Sequence, residues 1–580
     1  MRYIIGIDVG GTNTNACLLQ INQAQQGQVV KMAKTPTVHE NLLFSTKQVL
    51  DEIGKELPIH DSMALEIHLS TTLITNAIVE GKGDPVATIV SPGPGLCLAE
   101  AGLSFPLFSV GGAIDHRGRE TALLNADEVR NALRAADRQG AKAVAVVGKF
   151  SPRNPKHELA IEDLIKREFP EFHPPTLGHR LSGRLNFPRR VNTCYLNAKV
   201  ARLQREFTAK ISETLQEKGL RLSPDAREVS DRPRQKVFLL KADGGTISLE
   251  KGVTRPIETI LSGPAASVMG VLALTNAQES CTVVLDIGGT TTDISILVHG
   301  KPLAEKDGAD VGGYKTVVPA FFSRSIGLGG DSVVRYQAGR IRIGPERAGK
   351  AAALGGDSLT PTDAIVLTDS GSFGDHQRAL AMMKDFCQKI GGSPQERAEE
   401  INQAFCQQAV QAINEIFAYL NTRPVYTVSE VLAPRDMKPE KLIGLGGPAA
   451  YYIPKIARLL AVPYEVLPHY EGANAIGAAA SRPTAAISLR VDTALGKAMV
   501  PELDLVSNLS HPALFDRKKA EQLAIESVKE YAGQIGALHP GARFEVDEEE
   551  VFNMVRGFHT VGKLFSLRAQ VKPDAIKVSP

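Results

Sequence analysis

The sequence predicts an α/β protein with two related halves that face each other across a cleft, followed by a small C-terminal α+β segment. The main observation is a repeated phrase, DVGGTNTN at Asp8–Asn15 and DIGGTTTD at Asp286–Asp293, about 280 residues apart. Each copy follows a β-branched run and precedes further apolar residues. This is the pattern of a buried strand, a glycine turn and a second strand. Both copies are therefore predicted to be β-hairpins.

The glycine turn of each hairpin is suited to hold a phosphate group. Adjacent glycines lack the Cβ atoms that would keep an anion away from the backbone, and successive N–H groups in a tight turn form an anion-binding concavity. Threonine hydroxyls can add donors on the same rim. The predicted phosphate contacts are Gly10, Gly11, Thr12 and Thr14 in the first turn and Gly288, Gly289, Thr290 and Thr291 in the second. One such turn alone is usually an ordinary hairpin turn, whereas the repeat favours a bound nucleotide.

An aspartate ends the strand before each turn, and its charge predicts a metal ion. Asp8 or Asp286 would repel a phosphate unless a divalent cation lay between them. Because Mg²⁺ gives up its hydration shell reluctantly, both carboxylates are predicted to hold it through water. The hairpins differ where Asp293 corresponds to Asn15. We predict that Asp8, Asp286 and Asp293 are catalytic carboxylates, with turn capping as the alternative role of Asp293.

A third glycine phrase points to a superfamily. Leu442–Ala449 reads LIGLGGPA and leads into a helical pattern through Leu460. Together with the repeated hairpin, it resembles the superfamily of actin, sugar kinases, acetate kinase and the heat-shock ATPases. The resemblance implies two actin-like, ribonuclease H-like ATPase domains that flank a nucleotide cleft. It also implies ATP as the nucleotide, with Gly446 and Gly447 against its adenosine.

Further phrases narrow the resemblance to the A-type chain of the hydantoinase/oxoprolinase family, and they occur in the order expected of that family. They are STTLITNAIVEGKG (Ser70–Gly83), KADGGTISL (Lys241–Leu249), ILSGPAASVMG (Ile260–Gly270), IGPERAG (Ile343–Gly349) and PTDAIVL (Pro361–Leu367). The resemblance extends from the first residues to about Ala480. Within it, the loop with Gly329 and Gly330 is implied to contact the nucleotide, although Asp331 stands where a small polar residue is expected.

A group of polar residues is predicted to contact the second substrate. Thr71 and Thr72 follow a predicted strand, at the carboxyl end where α/β sheets gather ligands. Thr72 and Asn76 are four residues apart and so share one helical face, which could equally be a solvated face. Ser262 and Gly263 open the phrase SGPAAS. A helix start capped by Ser262 would explain that phrase as well, and helix N-termini also bind anions.

The composition indicates a large protein without an electrostatic preference for nucleic acid or anionic membranes. The chain has 580 residues, enough for several domain-sized units, and its 66 basic and 64 acidic residues nearly cancel. Its six cysteines lack Cys-x-x-Cys spacing and its histidines lack His-x-x-x-His spacing, so reduced thiols and no dedicated zinc site are expected. Without an apolar run of roughly 18 residues or a leader-like start, a cytoplasmic location is expected.

The elements predicted along the chain fall into three parts. Residues 1–230 form the first half with the first hairpin, residues 231–482 the second half with the second hairpin and the adenosine loop, and residues 483–580 an appended domain. Helices are predicted over Ala126–Gln139, Lys156–Glu168, Thr193–Lys218, Pro394–Leu420 and Arg517–Tyr531, strands over Ala143–Val147 and Lys236–Lys241, and a linker or exposed loop over Ser223–Arg234. The acidic run Asp547–Glu550 is expected to be a solvated face.

The family resemblance implies an ATP-dependent hydrolase of a cyclic amide, of the hydantoin or 5-oxoproline type, that acts through phosphorylation of its substrate. Phosphorylation of a carbonyl or enol oxygen creates a good leaving group, and the protein would supply positioning, Mg²⁺ and hydrogen-bond donors. A-type chains work with a B-type subunit, and nothing in this sequence resembles one, so a B-type partner is expected. The alternatives are a ketone carboxylase subunit, a small-molecule kinase and an ATP-driven activator protein.

Overall fold

Both repeated phrases form the β-hairpins that the sequence predicts. The computed structural model describes residues 2–38, 42–56, 64–217, 236–279, 281–305, 307–369, 373–422 and 437–579. Strand Arg2–Val9 pairs antiparallel with Asn13–Ile21, and strand Cys281–Ile287 pairs antiparallel with Thr292–Val298. Alternate residues of the first hairpin join different core clusters on the two faces of its sheet. Burial on both faces explains why these strands are apolar throughout rather than alternating.

The first hairpin lies within a seven-stranded mixed sheet, here called the first sheet. Its strands lie in the order Thr246–Ser248, Lys236–Leu240, Ala64–Thr71, Arg2–Val9, Asn13–Ile21, Gly27–Pro36 and Val578–Ser579. Strand Lys236–Leu240, which the sequence analysis assigned to the second half, pairs parallel with Ala64–Thr71. That assignment is wrong because a crossover connection brings the chain back to the first sheet. The boundary predicted at residue 231 therefore does not separate the two sheets, and the linker predicted over Ser223–Arg234 lies outside the described residues.

A four-stranded parallel sheet extends the first half. Its strands lie in the order Thr176–Leu177, Ala143–Gly148, Val86–Ser91 and Leu107–Ser109. Helices Ala126–Arg138 and Lys156–Glu168 share a core cluster with these strands. Helix Phe187–Glu217 contacts the parallel sheet through its first turns and the first sheet through its last turns. This long helix therefore joins the two sheets of the first half.

The second hairpin lies within a six-stranded sheet, here called the second sheet. Its main path runs in the order Lys301–Pro302, Thr292–Val298, Cys281–Ile287, Lys441–Leu445 and Tyr464–Val466, with Ser323–Ile326 paired to Thr292–Val298 as a branch. In each sheet, the first strand of the hairpin also pairs parallel with a later strand, Ala64–Thr71 in the first sheet and Lys441–Leu445 in the second. The two halves therefore repeat one architecture.

Residues 486–571 form an α+β unit, here called the C-terminal unit. Its five-stranded antiparallel sheet has the order Leu505–Asn508, Lys497–Val500, Ala486–Asp492, His559–Val571 and Phe544–Arg556. Helix Arg517–Gln534 packs on one face of this sheet and shares its core. The chain then returns to the first sheet, where Val578–Ser579 pairs with Gly27–Pro36. A small α+β element is thus present as predicted, except that its last strand belongs to the first sheet.

The remaining helices and ribbons complete the described chain. The other helices are Leu42–Gly54, Leu73–Val79, Gly178–Leu181, Leu249–Gly252, Ser262–Leu274, Pro361–Thr368, His376–Ile390, Pro394–Thr422, Ala449–Leu460 and Ala473–Ala480. Three two-stranded ribbons pair Ala113–Ile114 with Glu120–Ala122, Asp310–Val311 with Tyr314–Lys315, and Ser332–Gln337 with Arg340–Arg347. Across the described ranges, no helix combines the length and the apolar character needed to cross a bilayer.

The predicted helix limits agree with the structure, with one clear difference. Lys156–Glu168 is reproduced, and three other predicted helices differ at their C-terminal ends by one to three residues, which is the usual uncertainty of helix ends. The long helix predicted from Thr193 begins at Phe187 instead. Its second residue is Pro188, and proline is well tolerated in the first turn of a helix, where its missing N–H has no intrahelical partner anyway.

Candidate nucleotide site

The tips of the two hairpins meet. The Oγ1 atoms of Thr12 and Thr290 share a hydrogen bond of 3.2 Å. A Cβ atom on Gly289 would lie 2.9 Å from the Thr12 hydroxyl oxygen, so a larger residue there would displace the Thr12 side chain from this contact. The two predicted phosphate loops, which belong to different sheets, therefore face each other directly.

The strand registers make the two hairpins equivalent at their aspartates. Asp8 lies opposite Asn15, and Asp286 lies opposite Asp293. Asp8 and Asp286 lie near the carboxyl ends of their strands, the edge at which α/β sheets bind ligands. Asp8 is buried, whereas Asp286 and Asp293 are partly exposed. The structure thus brings the three predicted carboxylates together just below the hairpin tips.

Two short helices cross between the sheets. Helix Ser262–Leu274 follows the first sheet's strand Thr246–Ser248 along the chain, and helix Ala473–Ala480 follows the last strand of the second sheet. A Cβ atom on Gly477 would lie 1.9 Å from the carbonyl oxygen of Ala266, so the two helix backbones are in direct contact. This contact fixes the separation of the two halves at the point where their hairpins meet.

Each of these helices supports the aspartate of the other half. Ser267 Oγ, on the helix that follows the first sheet, donates a hydrogen bond of 2.5 Å to Asp286 Oδ2. Asn474 Nδ2, on the helix that follows the second sheet, donates a hydrogen bond of 2.6 Å to Asp8 Oδ2. Asn474 Oδ1 also accepts a hydrogen bond of 3.3 Å from Asn15 Nδ2, so Asn474 contacts both strands of the first hairpin. The two halves therefore exchange supporting side chains.

Burial raises the pKa values of all three carboxyl groups, and the charges of neighbouring carboxylates raise those of Asp8 and Asp293 further. Burial raises the pKa of Asp8 to about 7, opposed by a hydrogen bond with Ser70 and reinforced by the negative charges of Asp286 and Asp293. Burial and the charge of Asp286 also raise the pKa of Asp293 to about 7. Burial raises the pKa of Asp286 against the hydrogen bond from Ser267. Carboxyl groups that repel one another in a cleft form a site suited to a cation.

These carboxylates fit a hydrated Mg²⁺ ion better than a metal fully enclosed by protein. Within the described ranges, no group of three or more His, Cys, Asp and Glu side chains has the spacing to hold a metal ion. Mg²⁺ usually keeps several waters and takes its other oxygen ligands from one or two carboxylates and from substrate phosphates. Asp8 and Asp286 supply carboxylates of that kind beside the two phosphate loops.

The glycine phrase after strand Lys441–Leu445 lies beside the second hairpin. Gly446 has a left-handed φ of 91°, and a Cβ atom there would lie 2.2 Å from the Ile287 carbonyl oxygen and 2.8 Å from Asp286 Oδ1. Glycine is therefore required at this position. Gly447 is exposed, with open space where a Cβ atom would stand. An open stretch of backbone thus borders the phosphate loops, and the adenosine contact at these glycines stays a prediction.

The loop with Gly329 and Gly330 lies beneath the second hairpin rather than beside it. Both glycines are buried, and the backbone N–H of Asp331 donates a hydrogen bond of 2.6 Å to the Gly289 carbonyl oxygen. The Asp331 carboxylate, which departs from the family pattern, accepts a hydrogen bond of 3.3 Å from Arg347 Nη2. This loop therefore supports the turn from behind, and Asp331 has a cationic partner of its own.

The threonine rim is smaller than predicted. Thr12, Thr290 and Thr291 are at least partly exposed at the tips. Thr14 is buried, and its hydroxyl hydrogen-bonds to the Thr37 hydroxyl at 3.0 Å, away from the rim. Thr12 lies in the turn, whereas Thr14 lies within strand Asn13–Ile21 and is paired with Thr35 of the neighbouring strand, so the sheet and not the turn sets its direction.

Thr71 and Ser262, two of the predicted substrate residues, contact each other. Ser262 Oγ accepts a hydrogen bond of 3.1 Å from the Thr71 N–H and donates one of 2.9 Å to the Thr71 carbonyl oxygen. The capping role considered for Ser262 is wrong, because the residue before the helix is Leu261, in a left-handed conformation with φ of 52°. Thr75, which is not among the predicted substrate residues, accepts a hydrogen bond of 2.9 Å from the Leu261 N–H through its Oγ1 atom.

The other predicted substrate residues are more exposed. Thr72 directly precedes helix Leu73–Val79, and Asn76 lies within it. Asn76 Nδ2 donates a hydrogen bond of 3.3 Å to Thr72 Oγ1, so both side chains share one face as predicted. Gly263 has open space where a Cβ atom would stand. This face is therefore accessible, and its role as a substrate surface stays a prediction.

A separate polar cavity of about 480 Å³ lies between the first half and the C-terminal unit. It is lined in part by Lys241 and Arg255 of the first half and by Tyr531 of the C-terminal unit, and by no residue of the hairpin tips. Lys241 pairs with Asp243 at 3.1 Å, and Arg255 pairs with Glu258 at 2.8 Å. Because these buried charges are already neutralised within the protein, the cavity does not call for a charged ligand.

Two family models match the chain. The hydantoinase/oxoprolinase model matches residues 190–487, just over half of the chain, and the model of the hydantoinase/oxoprolinase N-terminal region matches residues 4–169. The first match contains the second hairpin and the predicted adenosine loop, and the second match contains the first hairpin. The family that the sequence phrases resemble is therefore confirmed.

Curated relatives match at low identity. The alpha subunit of caprolactamase from Pseudomonas jessenii is 24% identical over 503 residues, covering 79% of this chain and 67% of that protein. The gamma subunit of acetophenone carboxylase from Aromatoleum aromaticum is 25% identical over 412 residues, covering 63% of this chain and 52% of that protein. The 5-oxoprolinase of Saccharomyces cerevisiae is 24% identical over 418 residues, covering 62% of this chain and 31% of that protein. The chain thus spans about half the length of the acetophenone carboxylase subunit.

Two solved structures share the fold over nearly the whole chain. The ATP-dependent caprolactamase of Pseudomonas jessenii has a TM-score of 0.67 at 19% identity, covering 98% of this chain and 87% of that one. The nucleotide-free acetone carboxylase has a TM-score of 0.64 at 18% identity, covering 99% of this chain and 88% of that one. The predicted α/β fold of two related halves with a C-terminal segment is confirmed. From the family models and the shared fold, we conclude that the chain belongs to the hydantoinase/oxoprolinase family.

Proposed function

We propose that the chain binds ATP with Mg²⁺ between the two hairpin tips and transfers the terminal phosphoryl group to the carbonyl oxygen of a cyclic amide. The observation that carries the proposal is the direct contact of two equivalent Asp-x-Gly-Gly-Thr hairpins through Thr12 and Thr290. Facing glycine turns with paired carboxylates suit a phosphate chain bound with a cation. An ATP-dependent reaction also favours the cytoplasm as its location.

The proposed reaction has three stages. The amide carbonyl oxygen would attack the terminal phosphorus of ATP, with release of ADP. Water would then add to the activated carbon, and the ring C–N bond would break to give an amine and an acyl phosphate. A second water would hydrolyse the acyl phosphate to a carboxylate and phosphate. The net reaction converts ATP, two waters and the cyclic amide into ADP, phosphate and an amino acid. When bound, Mg²⁺ would neutralise charge on the phosphate oxygens.

The protein's own groups would mainly position the reactants. Backbone N–H groups of the two glycine turns would hold the phosphates without reorganising during the reaction. Asn474 and Ser267 would keep the carboxylates of Asp8 and Asp286 oriented toward the cation. Asp293, opposite Asp286 in the same hairpin, would orient the attacking group. Thr71, Thr72, Asn76, Ser262 and Gly263 form the proposed substrate surface.

A second candidate is phosphorylation of a ketone or its enol before carboxylation. The names of the acetophenone carboxylase subunit and of acetone carboxylase favour it. The same site would serve both reactions, because each begins with attack of a carbonyl-derived oxygen on the terminal phosphorus. Two of the relatives are named as subunits of larger enzymes, so we also propose that this chain works with a B-type partner.

The proposal is tested by Mg²⁺-dependent ATP hydrolysis with the purified chain. Hydrolysis would be measured alone, with a panel of 5-oxoproline, hydantoins, lactams and small ketones, and with a B-type protein added. Stimulation by one cyclic amide is expected, whereas stimulation by a ketone with bicarbonate would favour the second candidate. If the chain binds ATP but no metabolite stimulates its ATP hydrolysis, with or without the partner, both candidates would be contradicted and an activator protein would be favoured.

Asp286→Asn should impair ATP turnover without unfolding the protein. We expect it to lower ATP turnover by roughly 100-fold or more, because it removes the charge that holds the cation while keeping the size of the side chain. Asp385→Asn, at an exposed residue paired with Lys389, is the matched control and should leave turnover unchanged. Full turnover by folded Asp286→Asn protein would contradict the assignment of the metal site.

A further inference from the structure

A patch of exposed apolar side chains lies at the tip of the hairpin formed by Phe544–Arg556 and His559–Val571. Val551, Phe552, Val555, Phe558 and Val561 have exposed fractions between 43% and 103%. Phe558, in the turn itself, is fully exposed. Exposed apolar residues are common singly, but five within eleven residues concentrate exposed apolar surface at one hairpin tip, which is typical of an interaction site.

The same hairpin presents an unpaired strand edge. Phe544–Arg556 is the outermost strand of the C-terminal sheet, and no described strand pairs with its outer side. Near the tip, Met554 lies opposite Gly562 and Val555 lies opposite Thr560. Val561 of the inner strand therefore has no opposite residue and forms a β-bulge in that strand. The outer strand is therefore regular from Glu548 to Arg556. A long, regular and partly apolar edge is a template for a further strand.

Some of the charged side chains along this edge form ion pairs within the chain, and others do not. Three of the four carboxylates in the run Asp547–Glu550 form ion pairs, so the solvated face expected from the sequence is also a paired one. The pairs are Asp547 with Arg568, Glu548 with Arg184, and Glu549 with Arg517. Glu550 and Arg556 form no ion pair with any described residue. They have opposite charges, and both lie on the regular part of the outer strand, six residues apart.

We propose that strand Phe544–Arg556 pairs antiparallel with the same strand of a second copy of this chain, about a two-fold axis through Asn553. Such an axis, perpendicular to the sheet, leaves each side chain on its own face of the sheet. Directly opposite residues must lie on the same face, so they differ by an even number of positions and the axis passes through a residue. The contact is isologous, since each residue meets its partner twice.

The register through Asn553 is the one that matches charge with charge and apolar with apolar. It sets Glu550 opposite Arg556, Val551 opposite Val555 and Phe552 opposite Met554 of the second copy. Shifting the axis by one residue to Phe552 would instead put Glu550 opposite Met554 and Val551 opposite Asn553, which leaves both the charge and the apolar side chain without a matching partner. The choice of a second copy over another protein rests on this self-complementarity.

The paired segment is short, with about seven residues from each copy, so the dimer should be weak. We expect a dissociation constant in roughly the micromolar range, because the buried patch is smaller than that of a standard interface. Sedimentation velocity and light scattering across a concentration series should show a monomer–dimer equilibrium. A monomer at every concentration would overturn the proposal and leave the patch to a different partner.

A cysteine on the two-fold axis tests the register. Asn553→Cys, made together with Cys97→Ser to remove the exposed native thiol, should form a disulfide between copies under mild oxidation, because residue 553 lies opposite itself. Val551→Cys in the same background is the matched control. In this register residue 551 lies opposite residue 555 of the second copy. The two residues at position 551 would therefore be four strand residues, or about 13 Å, apart and should not cross-link. Equal cross-linking by both variants, or none by Asn553→Cys, would overturn this register.

A charge exchange tests the ion pair. Arg556→Glu should raise the dissociation constant of the dimer about tenfold, because it places like charges opposite each other at two symmetric positions. The double variant Glu550→Arg with Arg556→Glu should restore dimerisation. ATP hydrolysis should be the same in all of these variants, because the strand lies outside the proposed site. Dimerisation unaffected by Arg556→Glu would overturn the pairing of Glu550 with Arg556.

Discussion

Asn474 reaches the first hairpin from a helix that belongs, along the chain, to the second half. Its amide donates to the Asp8 carboxylate at 2.6 Å and accepts from Asn15 at 3.3 Å. Burial already disfavours the charged form of Asp8 and raises its pKa. The Asn474 donor stabilises the ionised carboxylate in one orientation, which is the form and position a hydrated cation needs.

Asn474→Ala should therefore weaken the use of Mg²⁺ without unfolding the protein. We expect a loss of about 10–100-fold in ATP turnover and a higher Mg²⁺ concentration for half-maximal rate, as for other residues that orient a metal ligand. The readout is a Mg²⁺ titration of turnover, with thermal unfolding measured in parallel. Asn414→Ala, at an exposed position of helix Pro394–Thr422, is the control. An unchanged Mg²⁺ requirement in the Asn474 variant would show that the contact is only structural.

Short motifs revealed some of these residues and not others. The placement of Asp8, Asp286 and the glycine turns on two hairpins could be predicted because each lies in a phrase whose local pattern specifies a hairpin, whereas their roles stay predictions. Asn474 lies more than 450 residues from Asp8 along the chain, and its role arises only when two helices pack. Thr14 was misplaced because a turn motif does not state which face of the strand its last residues take.

At the scale of elements, the crossing of helices Ser262–Leu274 and Ala473–Ala480 holds the two halves together. Gly477 contacts Ala266, and a Cβ atom on Gly270 would lie 2.3 Å from the Ala473 carbonyl oxygen. In both contacts a backbone atom of one helix occupies the place of a missing side chain on the other. Because the same helices carry Ser267 and Asn474, the depth of their packing sets the positions of both aspartates.

Gly477→Ala should separate the two helices. A methyl group at this site would lie 1.9 Å from a backbone oxygen, which cannot rotate away, so the helices must move apart. We expect a loss of about 3 kcal/mol in the free energy of unfolding, together with a loss of ATP turnover. Chemical denaturation of both variants would show the difference. Gly54→Ala, at a helix end with open space around it, is the control and should be neutral or slightly stabilising. Equal effects of the two changes would contradict the packing argument.

At the scale of the whole molecule, a buried histidine joins the first half to the C-terminal unit. His179 Nδ1 lies 2.5 Å from Glu158 Oε2, and its Nε2 lies 3.1 Å from Asp504 Oδ1 of the C-terminal unit. Burial by itself would lower the pKa of His179, but the two carboxylates outweigh it and raise that pKa to about 9. Glu158 has a lowered pKa despite its burial, mainly because of His179.

This junction should make stability depend on pH in the alkaline range. Because the pKa of His179 is raised on folding, its contribution is complete below about pH 6.5 and is lost as the pH rises through about 9, with an upper limit of about 3 kcal/mol. The Glu158 contribution is lost only in acid, so it does not change in this window. The difference in unfolding midpoint between wild type and His179→Gln should shrink from pH 6 to pH 10. His376→Gln, at an exposed position, should show no such trend. A constant difference would contradict the protonated state of His179.

The fold was more predictable than the way its parts meet. The hairpins, most helices and the repeated halves could be predicted from local apolar patterns, because the period of buried residues differs between helices and strands. The membership of strand Lys236–Leu240 in the first sheet could not be predicted, because strand order depends on crossover connections rather than on the strand's own residues. The same applies to His179 and Asp504, which are joined only by tertiary packing.

The return of the chain to the first sheet gives biosynthesis a fixed order. Strand Val578–Ser579 closes an edge that strand Gly27–Pro36 leaves open from the start, so this sheet cannot be finished until residue 579 has been made. Beside it, Lys577 Nζ donates to the carbonyl oxygens of Leu272 and Thr275 at 2.7 and 2.8 Å, at the C-terminal end of the helix that carries Ser267. A nascent chain on the ribosome would thus lack these two hydrogen bonds at the end of the helix that supports Asp286 until synthesis has passed residue 577.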